Sequence, residues 1–245
     1  MYPRQIEKFL PKVQKPGRYT GGELNSVVKD KSQVDIRYAF CFPDTYEIGM
    51  SHLGMKILYG LVNAREDAWC ERVFAPWVDM EQVMRENNIP LYALESGDAL
   101  TEFDILGFTM QYELSYTNVL NMLDLAGIPV RSRDRKDLTP IVVAGGTCVC
   151  NGEPMAEFFD ITLPGDGEEV TNELIDLLKE YKAKGASKQE FLEAAAQIKG
   201  VYVPSLYEVA YNENGTIAAI TPKYPDVPKT VKKRIIADLD KVPYP

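Results

Sequence analysis

The chain has 245 residues, of which 45% are hydrophobic, enough to bury a core for one large domain or for a domain with an appendage. Its 36 acidic and 27 basic residues leave a formal net charge of −9, which works against a broad sequence-independent nucleic-acid-binding face. No apolar run reaches the roughly 18 residues that span a bilayer and the start lacks an export signal's apolar core, so a cytoplasmic location without membrane insertion is expected.

Residues 1–33 carry KPGRYTGGELNS and read as an N-terminal arm with one short helix near residues 5–10. From Val34 the pattern alternates. A strand over 36–42 leads through the turn DTYEIGMSHLG into a helix that places Leu53, Ile57, Leu58, Leu61 and Val62 on one stripe. A strand over 71–74, a helix over 79–88 and a short strand over 91–94 follow. Then come an apolar strand over 105–109, a helix over 116–126 ending at Gly127, and a strand over 141–144 closed by Gly145 and Gly146. A strand over 161–163 precedes GDGEE and a long helix over 168–184.

Strands alternating with helices imply a Rossmann-like, doubly wound α/β domain with a mostly parallel sheet of about five strands. Ligands of such sheets bind at the carboxyl ends of the strands, so the loops at 43–54, 111–115, 145–153 and 164–168 form the expected functional edge. Beyond Gly185, Ser187 with Glu190 predicts a capped helix, and Asn214-Gly215 predicts a β-hairpin. Residues 231–236 read as strand-like, running into a proline-rich linker. The organisation expected is an arm (1–33), an α/β domain (34–199) and a hairpin extension with linker (200–245).

The motifs exclude several chemistries. Gly49 and Gly54 do not have dinucleotide-fingerprint spacing, and no GK[ST] phosphate loop occurs. Four cysteines (Cys41, Cys70, Cys148, Cys150) and one histidine (His52) are too few for a convincing metal site, and no C-x3-C-x2-C cluster motif is present. Reduced thiols are expected. The polar groups at the edge (Asp44, Tyr46, Ser51, Thr109, Gln111, Ser115, Thr147, Asp166, Glu168) suit ligand contact, but helix capping and dipole compensation also explain them.

Taken together the loops resemble a known set. Asp44-Thr45-Tyr46-Glu47-Ile48-Gly49 is similar to the D-x-H-x-x-G turn of cobalamin-binding domains, Gly107-Phe108-Thr109-Met110-Gln111 to their G-x-S-x-L strand end, and Val143-Ala144-Gly145-Gly146 to their double-glycine strand end. Phe159-Asp160 and Gly165-Asp166-Gly167-Glu168 resemble the segment where such a domain precedes a radical S-adenosylmethionine (radical SAM) barrel. Over most of residues 15–245 the chain looks like the N-terminal region of an uncharacterised radical SAM family.

The resemblance implies a cobalamin-binding-like module, not itself catalytic, whose parent enzyme carries the 4Fe-4S cluster, S-adenosylmethionine and a C-terminal barrel in the same polypeptide. It implies a ligand edge of Asp44, Tyr46, Gly49, Ser51, Thr109, Gln111, Gly145, Gly146, Thr147, Gly165, Asp166, Gly167 and Glu168. Tyr46 stands where the family's cobalt-ligating histidine is expected, so binding through an imidazole is not available there. The alternative is a Rossmann-like docking or substrate-recognition domain that binds no cofactor.

Overall fold

Strand β1 (Ile36–Phe42) is buried along its whole length, as a central strand of a parallel sheet covered on both faces must be. The structure, a computed structural model, describes residues 3–242. β1 pairs in parallel with β2 (Ala68–Phe74) on one side and β3 (Ile105–Thr109) on the other; β4 (Ile141–Gly145) and β5 (Ile161–Thr162) continue outward, giving the order β2-β1-β3-β4-β5. This is the expected Rossmann-like α/β sheet of five parallel strands.

Two helices pack together on one face: α2 (Leu53–Asn63), which follows the short α1 (Tyr46–Met50), and α5 (Glu168–Lys184). On the other, α3 (Val78–Glu86) lies beside α4 (Tyr116–Leu125), held partly by Arg85 Nη1 to Asp124 Oδ2 at 2.8 Å. Helix ends follow local chemistry. Gly127 and Gly185 take positive φ just past α4 and α5, where a side chain would be strained. α6 (Lys188–Ala195) begins with the predicted capping box between Ser187 and Glu190.

β2 starts three residues before the predicted position because Ala68, Trp69 and Cys70 complete its register with Ile36, Arg37 and Tyr38. Its charged pair Glu71-Arg72 is buried yet matched: Glu71 binds Arg37, and Arg72 Nε lies 2.6 Å from Glu95 Oε1. The expected strand at 91–94 is replaced by a single bridge between Tyr92 and Ala99, since Leu91 and Leu94 spend their backbone amides on Leu125 and Arg72.

The arm holds two 3-10 segments, Arg4–Lys12 and Pro16–Tyr19, and packs Ile6, Val13 and Tyr19 into the core. Near the other end, β6 (Tyr207–Tyr211) and β7 (Ile217–Pro222) form a separate antiparallel hairpin whose turn contains Gly215 at φ +81°. Residues 231–236 do not form a strand; one bridge joins Arg234 to Gly165. The proline-rich end of the linker, 243–245, lies outside the described residues. Among the described residues no helix is long and apolar enough to cross a membrane.

Candidate functional site

The chain steps from β1 outward to β2 and then back across to β3, so β1 and β3 diverge at a switch point where their loops leave in opposite directions. A cleft of about 240 Å³ opens there at the carboxyl edge, between α2 and α5. Tyr38 and Phe40 of β1, Gly107 of β3 and Val143 of β4 form its floor, while Leu58, Leu163 and Thr171 contribute to its walls. Thr109, Gln111, Gly145, Gly146, Gly165, Asp166, Gly167 and Glu168 all line it, together with His52 and Gly54.

The glycines do different jobs. At Gly145 a β-carbon would meet nothing within 4 Å, so its backbone stays open to the cleft. Gly146 has φ +95°, and a β-carbon there would stand 2.7 Å from Met110 O; it lets the loops after β3 and β4 interlock through Met110 N to Gly145 O and Cys148 N to Met110 O. Thr109 is buried and its hydroxyl accepts the Gln111 amide, leaving its own proton free to donate. Asp166 Oδ2 accepts the Ile236 amide at 2.8 Å, and Glu168 sits in the first turn of α5, where a carboxylate suits the helix dipole.

The other expected ligand-edge residues lie outside the cleft. Asp44 accepts the Tyr112 hydroxyl, tying the loop after β1 to the loop after β3, and Asn118 Nδ2 reinforces that tie by donating to Pro43 O at 2.9 Å. Gly49 is buried beneath Phe74, whose ring would stand 2.2 Å from any β-carbon there; close packing of the turn accounts for it. Ser51 Oγ bonds Ile48 O and Thr147 Oγ1 bonds Gln111 O, both local loop contacts. Tyr46 turns toward the arm, edge-on to Phe74 at 5.4 Å, and burial together with the neighbouring Glu23 carboxylate pushes its pKa up. A phenol held neutral and directed away from the cleft is not placed to ligate a metal there.

His52 lines the cleft but caps α2: its Nδ1 accepts the Met55 amide at 3.1 Å, which puts the proton of the neutral ring on Nε2. Cys148 is buried, which pushes its thiol pKa up, and Cys150 is exposed. Among the described residues no group of three or more histidine, cysteine or acidic side chains could hold a metal ion.

Tyr38 and Phe40 were not singled out from the sequence, and Leu58 only as part of the α2 apolar stripe. Tyr38 and Phe40 are two apart on a strand and therefore share a face, and Gly107 is the one residue of β3 without a side chain to fill that face. A glycine inside a buried strand was the available signal.

Two further features frame the edge. Ile48 and Leu53 after β1, Trp77 and Val78 after β2, and Tyr112 and Leu114 after β3 are all exposed, giving the edge an apolar rim. The C-terminal segment crosses the loop after β5: Arg234 N donates to Pro164 O at 2.8 Å, Asp166 N to Arg234 O at 3.1 Å, and the Arg234 guanidinium binds Glu169 and Glu173. Gly165, at φ +104°, is demanded by this crossing, because a β-carbon would stand 2.1 Å from Arg234 O.

These features define a parallel α/β domain with a ligand-sized cleft at its switch point and an apolar rim along its carboxyl edge. The family model described as radical SAM proteins, N-terminal, matches residues 54–204, and the chain belongs to that family. It is similar to the uncharacterized protein MJ0966 of Methanocaldococcus jannaschii, 26% identical over 171 residues, covering 69% of this chain and 32% of that protein. Among solved structures it is similar to the radical S-adenosylmethionine methyltransferase TsrM of Kitasatospora setae. One form has cobalamin and a 4Fe-4S cluster bound (TM-score 0.41, 14% identity, 78% of this chain and 31% of that one). The other has the tryptophan substrate and an S-adenosylmethionine analogue (TM-score 0.40, 14% identity, 73% and 29%). The chain spans about a third of the length of these proteins.

Proposed function

We propose that this chain is the N-terminal, cobalamin-binding-like module of a radical SAM iron-sulfur enzyme, with the catalytic cluster and S-adenosylmethionine held by a C-terminal barrel of the same polypeptide. The observation that carries this reading is the cleft at the β1–β3 switch point, backed by the open backbone of Gly145 and bordered by an apolar rim. Its size suits one flat ring system with a short polar attachment, which matches the base of a corrinoid's nucleotide tail, and is too small for the macrocycle.

The residues present fit the organic periphery of the cofactor but supply no ligand to its cobalt. Tyr46 faces the arm, and the His52 Nδ1 lone pair is committed to the Met55 amide. Gly145, Thr109, Gln111 and Gly167 would hold the tail, and Asp166 and Glu168 would border its mouth. When bound, cobalamin supplies a cobalt-carried methyl group. The protein's part would be to hold the cofactor by its tail and to present it to the barrel.

The test is titration of the full chain with hydroxocobalamin and methylcobalamin. A saturable change in visible absorption is expected, with a melting-temperature rise of roughly 5–10 °C at ligand near a hundred times Kd. Neither change would appear if the domain binds no cofactor. That second reading, a docking domain whose edge seats the barrel, is favoured by the rim of Ile48, Leu53, Trp77, Val78, Tyr112 and Leu114. Both readings expect a C-x3-C-x2-C motif within a few tens of residues downstream of Pro245 in the gene; its absence would refute both.

A further inference from the structure

The floor of the cleft carries a hydroxyl that any group filling the cleft would have to satisfy. Tyr38 projects from β1 across the sheet face, and its hydroxyl lies directly over Gly107 of β3: a β-carbon at 107 would stand 1.9 Å from it. The residue is 6% exposed, and its hydroxyl has no hydrogen-bond partner among the described residues but is not sealed off: it opens on the cleft. A group that fills the cleft takes this hydroxyl out of water, and one that leaves it unpaired forfeits that hydration without return.

The surroundings state what a bound group must bring to it. Phe40, Leu58, Val143 and Leu163 offer no polar atoms from their side chains. The polar groups nearer the mouth bond elsewhere and none of them reaches the Tyr38 hydroxyl: the Gln111 amide donates to Thr109, His52 Nδ1 accepts the Met55 amide, and Asp166 Oδ2 accepts the Ile236 amide. No lysine or arginine lines the cleft, while Asp166 and Glu168 do, so an anionic group is disfavoured inside it. Burial raises the phenol pKa, which keeps the hydroxyl protonated and able to donate at neutral pH. The partner is therefore an uncharged acceptor, a ring nitrogen or oxygen, on a group flat enough to slide over Gly107 and Gly145.

Resting on the corrinoid reading above, we infer that Tyr38 is a specificity-determining residue that selects the tail base of the corrinoid, favouring a base with a nitrogen or oxygen acceptor on its leading edge over one with methyl groups there. A dimethylated edge would bury the hydroxyl unpaired; a purine edge would satisfy it.

The experiment measures Kd by visible absorption for the full chain and for Tyr38→Phe with three probes: cobalamin, whose base ends in two methyl groups; the adenine-bearing cobamide; and cobinamide, which has no base. The wild-type chain is expected to bind the adenine form roughly five- to tenfold more tightly than cobalamin. Tyr38→Phe should erase that preference while leaving cobinamide affinity unchanged, and far-UV circular dichroism and melting curves verify that the variant folds. Equal wild-type affinity for the two base-bearing forms, or a preference that survives Tyr38→Phe, overturns the assignment. Cobinamide binding as tightly as both base-bearing forms would place the base outside the cleft and overturn it too, with the corrinoid reading intact. Absence of binding by all three probes overturns both.

Discussion

Lys188 Nζ, at the start of α6, lies 2.7 Å from Asp160 Oδ1, just ahead of β5, and both groups are buried. Asp160 also accepts the Val142 amide at 2.8 Å and the Ser132 hydroxyl, and lies 3.2 Å from Arg135 Nη2. One carboxylate thus fixes the outer strand, the loop at 132–135 and α6 together. Burial pushes the Lys188 pKa down and the Asp160 charge opposes that shift.

Removing the carboxylate strands two buried cations. Asp160→Ala is expected to cost about 3–5 kcal/mol of stability in urea unfolding. Lys188→Met, which leaves Arg135 paired with Asp160, is expected to cost clearly less. Equal losses would mean the network is not centred on Asp160.

The approach of Tyr38 to Gly107 limits what residue 107 can be. Gly107→Ala should lower stability by about 1–3 kcal/mol through overpacking, although alanine is the better strand former. Combining it with Tyr38→Leu should recover part of that loss, and thermal melts of the two single variants and the double variant measure the recovery. A double variant as unstable as the sum of the singles would show that the two side chains do not compete for this space.

The crossing at Gly165 is held by the Arg234 guanidinium on Glu169 and Glu173. Arg234→Ala should free the segment after residue 230, and trypsin should then cut after Lys232 and Lys233 several times faster than in the wild-type chain, while the sheet domain persists. Unchanged cleavage would mean the backbone contacts to Pro164 and Asp166 suffice.

Two carboxylates with strongly lowered pKa values contribute to the acid limb of stability. The Asp67 pKa is held at about 2, chiefly by hydrogen bonding from Arg65 and further by Lys179. That of Glu47 is held at about 2, first by Lys15 and then by Arg18. Both are depressed in the folded state, so the stability they contribute is complete above their unfolded values near pH 4 and is lost as pH falls toward 2. Asp67→Asn and Glu47→Gln should each flatten the stability curve in that window and leave the slope above pH 6 unchanged, as urea midpoints across pH would register.

Local signals placed most of the elements. β1, α5 and the α6 capping box fall where apolar period, dipole-matched carboxylates and the Ser187-Glu190 spacing put them. The strands expected at 91–94 and 231–236 failed because their backbone groups are claimed by distant partners, Arg72 and Leu125 for one and Pro164 and Asp166 for the other. Periodicity carries no information about such partners.

The site divides in the same way. Sequence by itself determined the parallel α/β sheet and the loops that reach its carboxyl edge, because side-chain period and turn chemistry are local properties. Only the tertiary structure decided which loop residues share a cleft: it turned Tyr46 toward the arm, buried Gly49 under Phe74, committed Gly165 to the Arg234 crossing, and brought Tyr38 over Gly107. The physical reason is that these contacts join residues tens of positions apart, on strands made neighbours by crossover connections, and a side chain's direction is set by whatever packs against it.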